Sequence, residues 1–157
     1  MHFVRRRTLD LVAVVALSSV VLGCNKSPYD LAPVVGTVTV DGQPLAAGSI
    51  MFAPNAREGN VNSGKPAFGR IQSDGSYSLT TYSDGDGAIA GSHWVTIFSP
   101  AKNSTGTTPV STTPSNIPRF DRITVPSGPV DVLADKENHI DVALTSQQIA
   151  RYGSKPK

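Results

Sequence analysis

The stretch Ala67-Phe68-Gly69-Arg70-Ile71-Gln72-Ser73-Asp74-Gly75-Ser76-Tyr77-Ser78-Leu79-Thr80-Thr81 decides the fold class. Two short runs flank Asp74-Gly75, a pair suited to a tight hairpin turn because glycine accepts positive φ without steric cost. Tyr77 and Leu79 stand two apart, so a strand places them on one face. The stretch predicts a β-hairpin over residues 67–72 and 76–81.

The same grammar extends in both directions. Residues 34–40 alternate, with Val38 and Val40 on one face and Thr37 and Thr39 on the other, and Asp41-Gly42 supplies the next turn. Residues 49–53 form a strand with Ile50 and Phe52 facing one way, ended by Pro54. Residues 92–98 set Val95 and Ile97 opposite Trp94, Thr96 and Phe98. Two further strands are expected at residues 130–133 and 139–144, with a turn over residues 135–138. In the last strand Ile140, Val142 and Leu144 alternate with His139, Asp141 and Ala143. No stretch of helical length repeats its apolar residues at 3.6-residue spacing. About seven short strands with glycine-rich turns predict an all-β fold, an antiparallel two-sheet β-sandwich. Its inward residues are expected to be Val38, Val40, Ile50, Phe52, Ile71, Tyr77, Leu79, Val95, Ile97, Val132, Ile140, Val142 and Leu144.

Residues 100–118 are rich in Ser, Thr, Pro, Gly and Asn and carry little to bury, which predicts a long exposed loop. Residues 145–157 are polar with a basic end and read as a tail, with at most one helical turn near residues 147–152.

Upstream, Arg5-Arg6-Arg7 precedes an uncharged run over residues 11–22, too short to span a bilayer as a helix. A basic segment, a short apolar run and a small residue at a cut site make a secretory signal. Val21-Leu22-Gly23-Cys24 closely resembles a bacterial lipobox. That resemblance implies a diacylglyceryl group on Cys24, cleavage after residue 23, and an exported protein anchored to the bacterial cell membrane or outer membrane. Residues 24–33, polar with Pro28 and Pro33, then form a tether, and the sandwich occupies residues 34–144.

The chain has 14 Lys and Arg against 12 Asp and Glu, a net charge of +2. The signal takes Arg5, Arg6, Arg7 and Asp10 with it, so the remaining side chains balance. A neutral domain argues against a nucleic-acid partner. Cys24 is the single cysteine, so a lipid on it leaves no thiol for a disulfide.

From residue 35 to residue 97 an ordered series of pieces is readable. Val38-Thr39-Val40-Asp41-Gly42-Gln43-Pro44-Leu45 runs into Gly48-Ser49-Ile50-Met51-Phe52-Ala53-Pro54. Gly69 to Leu79 follows, then Gly91-Ser92-His93-Trp94-Val95-Thr96-Ile97. The series resembles the carboxypeptidase regulatory-like, transthyretin-like domains of small bacterial, planctomycete-type lipoproteins. It resumes at Ile117-Pro118-Arg119-Phe120 and over residues 138–144. The resemblance implies a prealbumin-like, seven-stranded sandwich that serves as an accessory module and is not itself a peptidase.

Candidate chemistry is sparse. The hydroxyisourate hydrolases share the transthyretin-like fold, need histidines and an arginine, and end in Tyr-Arg-Gly-Ser. Here Arg151-Tyr152-Gly153-Ser154 has the first two exchanged, and Val38 and Val40 stand where that family places a histidine. His93 and His139 are the only histidines after the signal and show no metal-ligand spacing with a cysteine. Asp84-Gly85-Asp86-Gly87 is shaped like a calcium loop but lacks the bidentate Glu, and turn geometry accounts for it. Trp94 and Phe98 share a strand face and are the candidate partner contact. No catalytic residue, cofactor or metal ligand is assigned. The expected role is a non-catalytic, lipid-anchored envelope module that binds or supports an envelope protein or polysaccharide. The alternatives are a small hydrolase on the same fold and a self-assembling surface protein.

Overall fold

The computed structural model describes residues 29–56, 64–100 and 120–154. The expected signal segment, Cys24 and residues 101–118 of the expected loop lie outside them. In chain order the strands are β1 (Leu31–Ala32), β2 (Val34–Val40), β3 (Gln43–Pro44), β4 (Gly48–Pro54), β5 (Ala67–Ile71) and β6 (Ser76–Ser78). They continue with β7 (Ala88–Ile89), β8 (Gly91–Phe98), β9 (Arg122–Thr124), β10 (Val130–Val132), β11 (Asn138–His139) and β12 (Val142–Leu144), followed by helix α1 (Ser146–Tyr152).

The chain forms an all-β sandwich, and every one of the expected strands is present. One sheet runs β10-β8-β4-β5 with β9 also on β8, all antiparallel. The other is built around β2, with β3 and β6 on one edge and β11 and β12 on the opposite edge. The two inner faces meet in a single apolar core, where the Phe52 ring of β4 lies 6.2 Å from the Tyr77 ring of β6. Twelve of the thirteen expected inward residues are buried; Ile140 is half-buried and packs against the core. Burial contributes about 1.5–3 kcal/mol for each large apolar side chain.

Pairing departs from the local reading in three places. Residues 67–81 do turn at Asp74-Gly75, where Gly75 has φ of 82° and the Asp74 carboxylate accepts from the backbone N–H and hydroxyl of Ser76. The arms nevertheless part. β5 joins β4 while β6 joins β2, and bonds between the arms remain at Phe68–Thr80 and Gln72–Ser76. The expected hairpin is therefore a corner between sheets. The turn over residues 135–138 is likewise a crossover, from β10 in one sheet to β11 in the other. The buried Asn138 side chain holds it, accepting from the Leu133 N–H and donating to the carbonyls of Leu133 and Lys136. Third, β11 and β12 run parallel to β2.

β11 and β12 share one register against β2 and are one strand interrupted at Ile140-Asp141. In a regular parallel ladder Ile140, whose N–H bonds the Val35 carbonyl, would accept from the Thr37 N–H. Instead Asp141 Oδ1 accepts from both the Thr37 N–H and its hydroxyl, each at 2.8 Å. These bonds, the hydroxyl's first, hold the Asp141 carboxyl below its ordinary pKa. The displaced Ile140 carbonyl swings over Gly36 and accepts from the Tyr77 hydroxyl. Burial, and then the nearby Asp141 charge, push the Tyr77 pKa up.

Both ends of the domain extend past the expected limits. β1 pairs with β7 and buries Ala32, so part of the expected tether belongs to the paired structure. Beside this pair the Tyr29 and Tyr82 rings stack at 6.3 Å, with Lys65 Nζ 5.2 Å from the Tyr82 ring. The expected polar tail is α1. Thr145 and Gln148 form a reciprocal capping box at its start, and Ile149 on its inner side is 2 % exposed. At the Asp41-Gly42 turn both residues have positive φ, and the Asp41 carboxylate accepts from the N–H and hydroxyl of Ser146. The turn thereby fixes where the helix starts.

Candidate functional site

The site begins with a slip in register on the outer edge of β8. Thr96 pairs with Thr124, and the Val125 N–H still bonds the Val95 carbonyl at 2.9 Å. The pairing then resumes only at His93 with Val130. Three steps along β8 thus face six steps from Thr124 to Val130, and residues 126–128 bulge out. The residues explain it: Pro126 and Pro129 have no N–H for the ladder, and Gly128 takes φ of 95°. The bulge leaves Trp94 without a regular cross-strand neighbour on that edge.

α1 supplies the opposite wall. It leaves β12 in one sheet and delivers Ser154 to the free edge of β9 in the other. There the Asp121 N–H bonds the Ser154 carbonyl at 2.7 Å and the Ser154 N–H bonds the Arg122 carbonyl at 2.9 Å. Tyr152 is thereby held across from Trp94. Between them lies an open groove of about 420 Å³, floored by Thr124 and Val125 and rimmed by Arg122, Pro126 and Ser154. A second depression of about 340 Å³ shares Pro126 and Tyr152 and continues past Arg151, Thr145, Gln147 and Gln148. The two adjoin at these shared residues, and together they are called the trough. Trp94 is 42 % exposed and Tyr152 52 % exposed, and the Arg151 guanidinium lies 5.3 Å from the Tyr152 ring centre.

Of the candidate contact pair, Trp94 lines this trough. Phe98 shares its strand face but is half-buried opposite Arg122 and does not line the trough. Between them on that face, Thr96 is buried, its hydroxyl 3.2 Å from that of Thr124. The ring that joins Trp94 is Tyr152, which sequence reading misses because residues 145–157 read as a tail with at most one helical turn near residues 147–152. The signal that marks α1 is Thr145-Ser146-Gln147-Gln148, a capping-box spacing.

The histidines stand elsewhere. His93 points to the core beside the Phe52 ring and is 1 % exposed. Its Nδ1 lies 3.0 Å from the Gly91 carbonyl, which can only accept, so Nδ1 carries the proton and Nε2 is left buried without a partner. Burial holds its pKa below the ordinary histidine value. His139 is on the surface with Nε2 2.9 Å from a Glu137 carboxylate oxygen. Arg151-Tyr152-Gly153-Ser154 does reach the trough, but the residues lining it include no histidine and no carboxylate. In the stretch shaped like a calcium loop, the Asp86 carboxylate accepts from the N–H groups of Thr81, Tyr82 and Ser83, which ties it to the turn. Among the described residues no group of three or more His, Cys, Asp or Glu is placed to hold a metal ion. No helix among them is long and apolar enough to cross a membrane.

No protein-family model and no curated protein matches the chain. Among solved structures it is similar to a DUF3823 family protein from Parabacteroides merdae, at 16% identity and a TM-score of 0.38. The match covers 74% of this chain and 47% of that one, so the chain spans about half the length of that protein.

Proposed function

We propose that this chain is an exported, lipid-anchored and non-catalytic envelope protein, whose sandwich is a transthyretin-like accessory module that binds a partner through the trough. The observation that carries the reading is the Trp94–Tyr152 trough. Two large aromatic rings stand open to solvent on a rigid strand and a capped helix, the arrangement of a recognition surface and not of a core. The lining offers hydroxyls, amides and guanidinium groups but no general base for hydrolysis. The anchor rests on Gly23-Cys24 behind the basic and apolar segments. Two acyl chains on one cysteine hold a protein stably at a bilayer, where one chain is marginal.

Mass spectrometry of the mature N-terminus tests the anchor. The expected result is a diacylglyceryl-modified Cys24 at the first position, with Cys24→Ser accumulating as uncleaved precursor or released from the membrane fraction. An unmodified cysteine, or cleavage elsewhere, refutes it. Capture from envelope extracts with the intact protein, compared with Trp94→Ala and Tyr152→Ala, tests the trough. A partner retained equally by all three refutes the assignment of binding to it.

A further inference from the structure

We infer that the trough holds a strand of acidic polysaccharide, with sugar rings laid against Trp94 and Tyr152 and their carboxylates met by Arg122 and Arg151. The inference deepens the binding-module reading above and rests on it. The charge of the lining points to an anion. Arg122 lines the groove and Arg151 its continuation, and no acidic side chain lines either part. Among the described residues the ion pair is His139 with Glu137, so neither guanidinium is engaged by a carboxylate. The side chains after residue 23 balance in charge, so this is a local positive feature and not the mark of a basic surface. Arg151 over the Tyr152 ring joins a stacking plane to a planar donor fork, which matches a carboxylate bidentately.

The shape and the edge bonding select a glycan over an acidic peptide. A peptide is commonly recognised by adding a strand to a free sheet edge. At Asp121 and Arg122 the outer edge of β9 is already bonded to the Ser154 segment, which leaves only the short stretch at Thr124 for an added strand. What remains accessible is two ring faces beside the Gln147 amide, with the Thr124, Thr145 and Gln148 side chains, each already hydrogen-bonded, around them. Aromatic rings offer a flat apolar body to the C–H faces of a sugar, and the polar rim can meet its hydroxyls. Both depressions are open to solvent and adjoin at Pro126 and Tyr152, which suits a chain better than a small enclosed ligand.

The experiment uses Trp94 as its reporter, since it is the single tryptophan of the chain. The full mature protein is titrated with a hexameric oligogalacturonate while tryptophan emission is followed, and calorimetry is run in parallel for variants that lack the reporter. The expected result is saturable binding that shifts the emission. Arg122→Gln and Arg151→Gln should each weaken it about tenfold or more, and Trp94→Ala and Tyr152→Ala should abolish the calorimetric signal. Raising the salt to about 0.5 M should weaken it as well. Circular dichroism shows whether each variant keeps its fold. Cellohexaose binding as tightly as the uronate overturns the inference and leaves the binding-module reading intact, as does tighter binding of polyglutamate at the same residues. No response to any of the three probes overturns the inference, and the capture comparison above then decides the reading separately.

Discussion

Replacing Gly36 by alanine tests the arrangement at the heart of the β2 sheet. A Cβ there would lie 2.0 Å from the Ile140 carbonyl oxygen, 2.7 Å from its carbon and 3.1 Å from the Tyr77 hydroxyl. Both of the closest atoms are backbone, and the segment cannot simply retreat. The Ile140 N–H is bonded to the Val35 carbonyl at 2.9 Å, and Asp141 is held by both donors of Thr37. Relief therefore requires the Ile140 peptide to rotate, which breaks its bond from Tyr77. Overpacking costs about 1–3 kcal/mol, and a buried hydroxyl left unpaired costs about 1–3 kcal/mol more. Restricting the unfolded chain returns about 0.4–1 kcal/mol. The expected net loss is about 1–5.6 kcal/mol, centred at about 3 kcal/mol. Tyr77→Phe alone should cost about 1–2 kcal/mol, since it removes the same bond without the clash. The double variant should cost less than the sum of the two by about 1 kcal/mol, because the bond is lost only once. Urea unfolding followed by Trp94 emission and far-ultraviolet circular dichroism measures all three. Two results would refute the reasoning. If Gly36→Ala costs under about 0.5 kcal/mol, the Ile140 carbonyl can return freely to the Thr37 N–H. If the double variant is additive, the carbonyl and the hydroxyl are not partners.

Two further outcomes follow from buried groups. His93 is neutral in the core with its pKa held below the ordinary value of 6.5, while the unfolded chain takes up a proton near about pH 6.5. Its stabilising effect is thus complete above that pH and is lost as pH falls below it, toward the depressed folded value. The urea midpoint should fall between about pH 7 and 5, and His93→Leu should flatten that fall; an unchanged profile in the variant contradicts the assignment. Ile149→Ala should cost about 2–5 kcal/mol and speed hydrogen exchange at the Asp121 amide, which Ser154 protects. A change of stability without faster exchange at Asp121 would separate the helix from the edge of β9.

Much of the sandwich is legible one strand at a time. Alternation in residues 92–98 correctly puts Val95 and Ile97 inside and sets Trp94 on the opposite face, because a strand's side-chain period is local; whether that face is open is not local. Asp41-Gly42 and Asp74-Gly75 are legible as turns for the same reason. Which sheet each arm joins is not, since the corner between β5 and β6 depends on partners far along the chain. The parallel placement of β11 and β12 beside β2 is invisible for that reason too. α1 buries one apolar side chain, Ile149, so it has no apolar stripe to detect; only its capping box announces it. The trough was half legible. Trp94 is legible as one of two aromatics on the face opposite Val95 and Ile97, but the bulge after Val125 that opens its surroundings is a fact of pairing, and Tyr152 enters only through the helix.

The double-sided pairing of β2 also has a mechanical consequence. Tension applied to the N-terminal arm reaches β1 first, and the two-residue contact with β7 is the weakest link and yields early. The force then passes along the axis of β2, whose bonds lie across the pull on both edges, to β6 and β3 on one side and to β11 and β12 on the other. Because β11 and β12 run parallel to β2, a pull between the N-terminal arm and α1 beyond β12 loads these bonds together in shear and does not peel them open one after another. The domain is built to resist being dragged from its N-terminal end, with the short β1–β7 clasp acting as a fuse ahead of the body.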